Sequence, residues 1–398
     1  MYNEEKNISP LFILIMAGLA AFGPLSIDMY LPALPEVKSM LNTSTAQVQM
    51  TLTFFMIGLA FGNMTIGTLS DTFGRKNPLI FSLIVYILSS IVIAIAPNIT
   101  IVLIFRFIQG FAGGAGIVLS RAIATDLYKG KELTQFLAML MLVNGAAPVL
   151  APMFGGIILN FLNFRILFWI LALLSSLMLI GTHLKINETL PPQNRRQAHF
   201  KIIAEDFKLL LTRQSFVIPM IIQGFTFAMF FGYMAASPFI MQNIYGLSAQ
   251  QYSYIFALTG LGLIFTAQIT GRLVEHMNQH TLFRIYSAIQ LVGTVITIIA
   301  LTNHLTFWIL LPSFILIVAP VAGIGTLGYA IAIEGQTRGI GSASSLVGLM
   351  QYLIGAITTP LVGLQGENSY TPYIIVISIT MIIIVIFQIY HKVFIEIH

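Results

Sequence analysis

The sequence predicts an all-α membrane protein: twelve transmembrane helices in two pseudo-symmetric six-helix halves, with both termini cytoplasmic. Three observations predict the helical membrane class: the composition, the length of the apolar runs, and matches between the first and second halves. The chain has 398 residues, is 57% hydrophobic and is only 8% charged, with a mean hydropathy of +0.90. So few charges cannot cover a soluble exterior, so the solvent is largely lipid. In lipid the backbone must satisfy its own hydrogen bonds, which leaves helices or a closed barrel. Runs such as "NPLIFSLIVYILSSIVIAIAP" reach the roughly 20 residues that a spanning helix needs. A barrel would show short alternating strands instead.

The spans are expected at 11–34, 47–69, 78–97, 100–122, 133–158, 165–184, 215–240, 250–272, 281–301, 305–331, 340–363 and 371–391. The first follows "MYNEEKNISP" and is too long for a signal core, so it is expected to remain as a span. The second and eighth are opened by "STAQ" (44–47) and "SAQQ" (248–251), each a Ser-x-x-Gln capping box. In the fifth, Pro148 and Pro152 each remove a backbone donor and should bend the helix, while Gly155 and Gly156 allow close approach to a neighbour. The tenth contains "GIGTLG" (323–328). That string matches a dinucleotide fingerprint literally, but it has no strand before it, so helix packing explains it better.

Lys and Arg set the orientation. Arg75, Lys76, Lys129, Lys131, Arg272, Arg284 and Arg338 fall in the even-to-odd connections, and the 185–213 segment adds Lys185, Arg195, Arg196, Lys201, Lys208 and Arg213. The opposite connections hold Lys38 and Arg165. Both termini are therefore expected in the cytoplasm, and the pI near 9.3 reflects membrane orientation rather than nucleic-acid binding. The polar stretch divides the chain into a first half (1–184), a linker (185–214) and a second half (215–398). Within it, 200–211 has the pattern of a surface amphipathic helix, and a plain linker explains it equally well.

The halves read as repeats. "GLAFGNMTIGTLSD" (58–71) aligns with "GLGLIFTAQITGRLVE" (260–275), setting Gly67 and Asp71 against Gly271 and Glu275. The capping boxes correspond, and "AIATD" (122–126) matches "AIAIE" (330–334), so Asp126 faces Glu334 in the alignment. Two such halves place a substrate site at the midplane between them.

Two embedded charges stand out. Asp28 sits in "SIDMYLPALP" (26–35), with Pro24 and Pro32 one turn to either side. Pro32 cannot donate to the Asp28 carbonyl, which leaves a local oxygen available. The repeat sets Ser237 opposite Asp28, so the fold itself does not demand an acid there. An acid with free carbonyls in a wet cavity suits a proton or a cationic substrate; a structural Asp28–Arg106 pair is the rival. Arg106 shares a helical face with Gln109, Gly110 and Gly113. A mid-span Arg costs roughly 2.5–3.5 kcal/mol on insertion scales, so that polar, small face suits a protein cavity; outward snorkelling is the rival. Phe227, Phe230, Phe231 and Met234 form an aromatic stripe, either a packing surface or a wall for flat apolar ligands.

With these residues in view, the chain resembles a known family. "GTLSDTFGRKN" (67–77) is similar to the loop signature of the major facilitator superfamily, "RFIQGFAGGAG" (106–116) resembles the fourth-span motif of its drug:proton antiporters, and "NGAAPVLAPMFGG" (144–156) the antiporter motif of the fifth. "SIDMYLPALP", "SRAIATDLY" (120–128) and "SASSLVGLMQ" (342–351) together resemble the Bcr/CflA drug-resistance exporters. Ser70, Thr72 and Ala151 depart from the usual Ala, Arg and Gly. The resemblance implies a major facilitator fold and a cell-membrane exporter driven by protons. It implies coupling through Asp28 and Arg106, and a substrate cavity drawn from Tyr30, Gln109, Asn144, Phe227, Phe231 and Gln351. The cytoplasmic gate would comprise Gly67, Asp71, Gly74, Arg75, Lys76, Arg121, Asp126, Glu275 and Glu334. An Asp71–Arg121 pair, or Asp71 facing the start of span eleven near Gly341 and Ser342, would latch the cytoplasmic ends. Pro148, Pro152, Gly155 and Gly156 would seal the cavity against proton leak.

The expected partners are drug-like small molecules (cationic or neutral and lipophilic), protons and membrane lipids, with no nucleic acid and no cofactor. A defined metabolite, such as an amino acid or siderophore, is the alternative cargo on the same fold. The chain has no cysteine, and its seven histidines fall in loops or at span ends, so no metal site is expected and an enzyme is disfavoured. A channel or receptor would not need proline-broken repeats with an acid in one half.

Overall fold

The computed structural model describes residues 10–128, 130–195, 207–334 and 340–394. Among them there are helices and turns and no strand. The helices are α1 (Pro10–Asp28), α2 (Leu34–Met40), α3 (Thr45–Phe73), α4 (Lys76–Ile95), α5 (Ile99–Leu127), α6 (Gly130–Leu159) and α7 (Arg165–Lys185). The second half holds α8 (Gln214–Phe239), α9 (Ala249–Leu273), α10 (Gln279–Thr302), α11 (Phe307–Val318), α12 (Pro320–Ile333), α13 (Ile340–Leu361) and α14 (Thr371–Phe394). Counting α1 with α2 and α11 with α12 as single units, ten are long and apolar enough to cross a membrane among the described residues. α6 and α13 contribute shorter apolar stretches, Val149–Leu159 and Leu346–Leu361.

The ends of the helices follow local chemistry. Ser44 and Ser248 each accept from the backbone of Gln47 and Gln251, and both capping boxes close reciprocally. Two expected spans are interrupted. The first stops at Asp28, passes through a 3₁₀ turn at Leu31–Ala33 and resumes as α2. Pro32 stands where the donor to the Asp28 carbonyl would be, so the α-helical ladder cannot continue. The tenth span divides at Ala319, with Pro320 opening α12. α8 keeps Pro238 inside and ends in a π-turn at Ile240–Ile244, a common way to absorb a lost bond.

Large side chains such as Phe265 (68% exposed) and Trp308 (77%) face outward; apolar exposure on this scale needs lipid. Inside, α3 and α5 meet through glycine: a Cβ at Gly58, Gly62 or Gly110 would strike the backbone of Phe107, Phe111 or Phe55. The glycines of "GIGTLG" serve packing as well, Gly323 against Tyr286 and Gly325 against Phe227.

The halves meet mainly through α3 against α13 and α6 against α9. Among the described residues four hydrogen bonds cross between them: Gln49 Nε2 to the Ala235 carbonyl at 3.0 Å, Thr53 Oγ1 to the Ala356 carbonyl at 2.9 Å, Gln242 Nε2 to the Pro32 carbonyl at 3.1 Å, and Asn160 Nδ2 to Gln250 Oε1 at 2.7 Å. A Lys38–Glu367 ion pair at 2.5 Å joins them at the same end of the bundle. Of the predicted amphipathic segment, 207–211 is helical and Leu210 is buried. Its earlier residues, with Lys129, Arg196, Lys201 and Arg338, lie outside the described residues.

Candidate functional site

Asp28 is the last residue of α1 and is 4% exposed. Its carboxyl makes no hydrogen bond or ion pair among the described residues. The hydroxyls of Tyr252 on α9 and Tyr352 on α13 lie within electrostatic reach of it, which places it near the boundary with the second half. The corresponding Ser237 lies 3.4 Å from the Tyr252 hydroxyl. Both pseudo-equivalent positions therefore converge on one tyrosine. The antiporter-motif helix packs beside them: Gly155 sits against the Met29 carbonyl and Gly156 against Ser253. A side chain at either glycine would push α6 away from the break at Asp28 or from α9. Pro152 is buried in the same helix. The side chains of Asn144 and Pro148 lie outside the described residues, as do those of Gly341 and Ser342.

Arg106 does not pair with Asp28. Its guanidinium is fully buried within the first half, between the rings of Phe55, Tyr30 and Phe168 at 4.3, 4.9 and 5.7 Å. Its Nη1 donates to the Ser26 carbonyl at 3.1 Å and to Gln109 Oε1 at 2.9 Å. Gln109 Nε2 in turn donates to Ser90 at 2.8 Å, and Ser26 bonds Tyr86. Tyr30 meets Thr51 at 3.3 Å and packs on Phe168. Tyr30 and Gln109, expected on a cavity wall, thus belong to the cage around Arg106. The polar face read from the sequence turns inward to a core of rings rather than to an open cavity.

A cavity of about 370 Å³ lies between the halves. Its polar wall is Asn63 on α3, Arg121 on α5, and Gln351 and Tyr352 on α13; Met64 and Ile117 are among its apolar residues. Of the residues expected at a substrate cavity, Gln351 lines this one. Phe231 does not line it but packs on Tyr352, ring centroids 5.9 Å apart, and Phe227 packs on Phe231 at 6.3 Å. The aromatic stripe is a wall behind the wall. A second hollow of similar size, bordered by Ile80, Ile84, Leu179 and Leu184, is an apolar groove on the outer surface of α4 and α7.

At the end of the bundle away from Lys38, Asp71 pairs with Arg75 at 2.5 Å, not with Arg121. Arg75 Nε also meets Asp126 at 3.0 Å, and Nη1 donates to Ser70 at 2.7 Å. Burial opposes the Arg75 charge, but the hydrogen bonds and charges of Asp126 and Asp71 outweigh it and raise its pKa above the usual arginine value. Gly67 packs on Val118. Gly74 has φ +89°, a conformation that favours glycine, and a Cβ there would strike Glu188. Glu188 accepts from the backbone N–H groups of Arg75 (2.8 Å), Lys76 (3.3 Å) and Leu190 (3.0 Å). Burial works against its charge, and these three N–H groups with nearby Arg195 outweigh it, so Glu188 titrates below the usual carboxylate value. Thr189 donates to Asp126 at 2.9 Å, and Lys76 Nζ to the His183 carbonyl at 3.0 Å.

Among the described residues the second half shows no such network: Glu275 is exposed without an ion pair, and Glu334 lies 3.8 Å from His280. At the offset that matches Gly67 to Gly271, Arg75 falls on Gln279. The linker residues Glu188 and Thr189 escaped sequence reasoning, since their partners lie 63 to 113 positions away. Their one signal was a carboxylate in a polar stretch.

The sequence profile of the Major Facilitator Superfamily matches residues 14–360. The uncharacterized MFS-type transporter YdgK of Bacillus subtilis is 34% identical over 95% of this chain and 94% of its own length. The bicyclomycin resistance protein homolog of Haemophilus influenzae is 31% identical over 96% of each chain. Among solved structures, a D-xylose–proton symporter superposes with a TM-score of 0.76 at 15% identity, covering 97% of this chain and 98% of its own; at that identity the likeness speaks for the fold.

Proposed function

The chain belongs to the major facilitator superfamily, and we propose that within it the protein is a proton-coupled antiporter exporting drug-like, lipophilic small molecules from the cell. As a member of that family it is a multi-pass transporter of the cell membrane, not an enzyme. The export reading draws on the likeness to a bicyclomycin resistance protein homolog.

The observation that carries proton coupling is Asp28: a nearly buried carboxyl without a partner among the described residues, at a proline-broken helix end, near Tyr252 and Tyr352 of the other half. Intramembrane acids are costly and mark ion or proton paths. Only one half has the acid, so the architecture does not require it. In this reading Lys38 lies outside and Asp71 inside, with the termini cytoplasmic and the six-helix halves at 1–184 and 215–398 joined by the linker. The hydrogen bonds and ion pair at the Lys38 end then close the outer side, and the cavity at Arg121 is the inward-facing vestibule. Substrate and proton would exchange across the Tyr352–Asp28 region as the halves rock about it.

The test is transport in proteoliposomes under an imposed pH gradient, across bicyclomycin, lipophilic dyes and amino acids, with wild type and Asp28→Asn. Gradient-driven flux of several unrelated compounds, lost in Asp28→Asn, is expected. Flux confined to one amino acid would replace the drug reading by a metabolite exporter. Flux indifferent to the gradient would remove proton coupling.

A further inference from the structure

We propose that Arg121 sets the charge class of the cargo: the vestibule takes molecules that present a carboxylate or another strong acceptor and turns away cations. The inference rests on the exporter reading and narrows it. Arg121 is exposed on the cavity wall, and among the described residues no Asp or Glu lines that cavity. Arg121 makes no ion pair and no hydrogen bond among the described residues. The acids at the same end of the bundle are engaged elsewhere. Asp71 is held by Arg75, Asp126 by Arg75 and Thr189, and Glu188 by backbone N–H groups. The positive charge at the vestibule is therefore left for a ligand to meet.

The chemistry of the wall fits an acceptor-bearing guest. A guanidinium offers a rigid fork of donors that matches a carboxylate. Asn63, Gln351 and the Tyr352 hydroxyl add neutral polar groups beside it, and Met64 and Ile117 add apolar surface. Such a mix of few polar groups on an apolar wall orients a small molecule. Asp28, the group that would attract a cation, does not line the cavity. Among the described residues, a cation entering the vestibule meets Arg121 and no carboxylate on the wall. Exclusion by like charge is a standard source of specificity.

Two dyes on one xanthene scaffold separate charge from shape: fluorescein as the anion and rhodamine 123 as the cation. Their binding to the purified full chain in detergent at neutral pH is followed by fluorescence anisotropy. The wild type should bind fluorescein at least about tenfold tighter. Arg121→Gln should bring the ratio close to one, and Arg121→Lys should keep part of the preference. Equal or tighter binding of rhodamine 123 by the wild type overturns the proposal, as does an unchanged ratio in Arg121→Gln. Bicyclomycin flux by wild-type proteoliposomes, with and without a pH gradient, tests the exporter reading separately. A charge preference without gradient-driven flux would sink that reading and leave the filter; flux without the preference would do the reverse.

Discussion

Asp28 and Arg106 are the two embedded charges the sequence exposes, and the structure separates them. Asp28 was legible because an acid in an apolar run is conspicuous and the repeat offers Ser237 as a control. The setting of Arg106 was not legible: Phe55, Tyr30 and Phe168 reach it from three other segments, and no local pattern announces a ring cage. Its Nε and Nη2 have no hydrogen-bond partner among the described residues, so ring faces carry much of its stabilisation. A desolvated cation–π contact is worth about 2 kcal/mol or more. Lysine keeps the charge but lacks the planar fork. Arg106→Lys should therefore lower the thermal unfolding midpoint in detergent, and an unchanged midpoint would remove the cage as a stabilising unit. For Asp28, the sharper measurement is substrate-induced proton release in detergent. Release should vanish in Asp28→Asn and persist in Ser237→Ala, whose single long hydrogen bond is worth only about 1 kcal/mol. Equal release from wild type and Asp28→Asn would assign the proton to another group.

Between helices, the sequence located the spans, the two capping boxes and the glycine contacts, because these depend on periodicity, caps and small residues within one segment. It did not reveal what holds the loop between α3 and α4. That loop is built on Gly74 and on Glu188, which reaches in from the linker. The pH behaviour of the two charged groups differs. The raised pKa of Arg75 means that its contribution is fully present below the unfolded arginine value and is lost only as pH rises through the folded one, outside the working range. The depressed pKa of Glu188 means that its contribution is present above the unfolded carboxylate value near about 4.3 and is lost as pH falls through the folded one. Deuterium-exchange protection of the peptides covering 70–80 and 186–192, corrected for the intrinsic pH dependence of amide exchange, should therefore be high at neutral pH and fall on acidification. In Glu188→Ala both peptides should exchange faster at neutral pH, because the N–H groups of Arg75, Lys76 and Leu190 lose a shared acceptor. If only 186–192 changes, Glu188 anchors the linker without bracing the loop.

Across the whole molecule, the twofold plan was legible from the matches between halves, whereas the contacts that join the halves were not. Lys38 and Glu367 lie 329 positions apart in the numbering, and the charge pattern showed Lys38 only as an exception to the orientation rule. Their pairing gives the closed end a charge-dependent latch beside four hydrogen bonds. Both side chains are partly exposed, 25% and 31%, so the pair is worth at most about 1 kcal/mol. Removing it should shift the equilibrium between closed and open states of the Lys38 end by no more than about fivefold. That shift is measurable because the native chain has no cysteine, so spin labels can be placed at Phe161→Cys and Asn368→Cys alone. Lys38→Gln or Glu367→Gln should enlarge the population with the longer distance. The exchange of the two charges, Lys38→Glu with Glu367→Lys, should restore the wild-type distribution, since attraction rather than identity holds the end together. Single variants whose distance distribution matches that of the wild type would show that the hydrogen bonds close the Lys38 end without the ion pair.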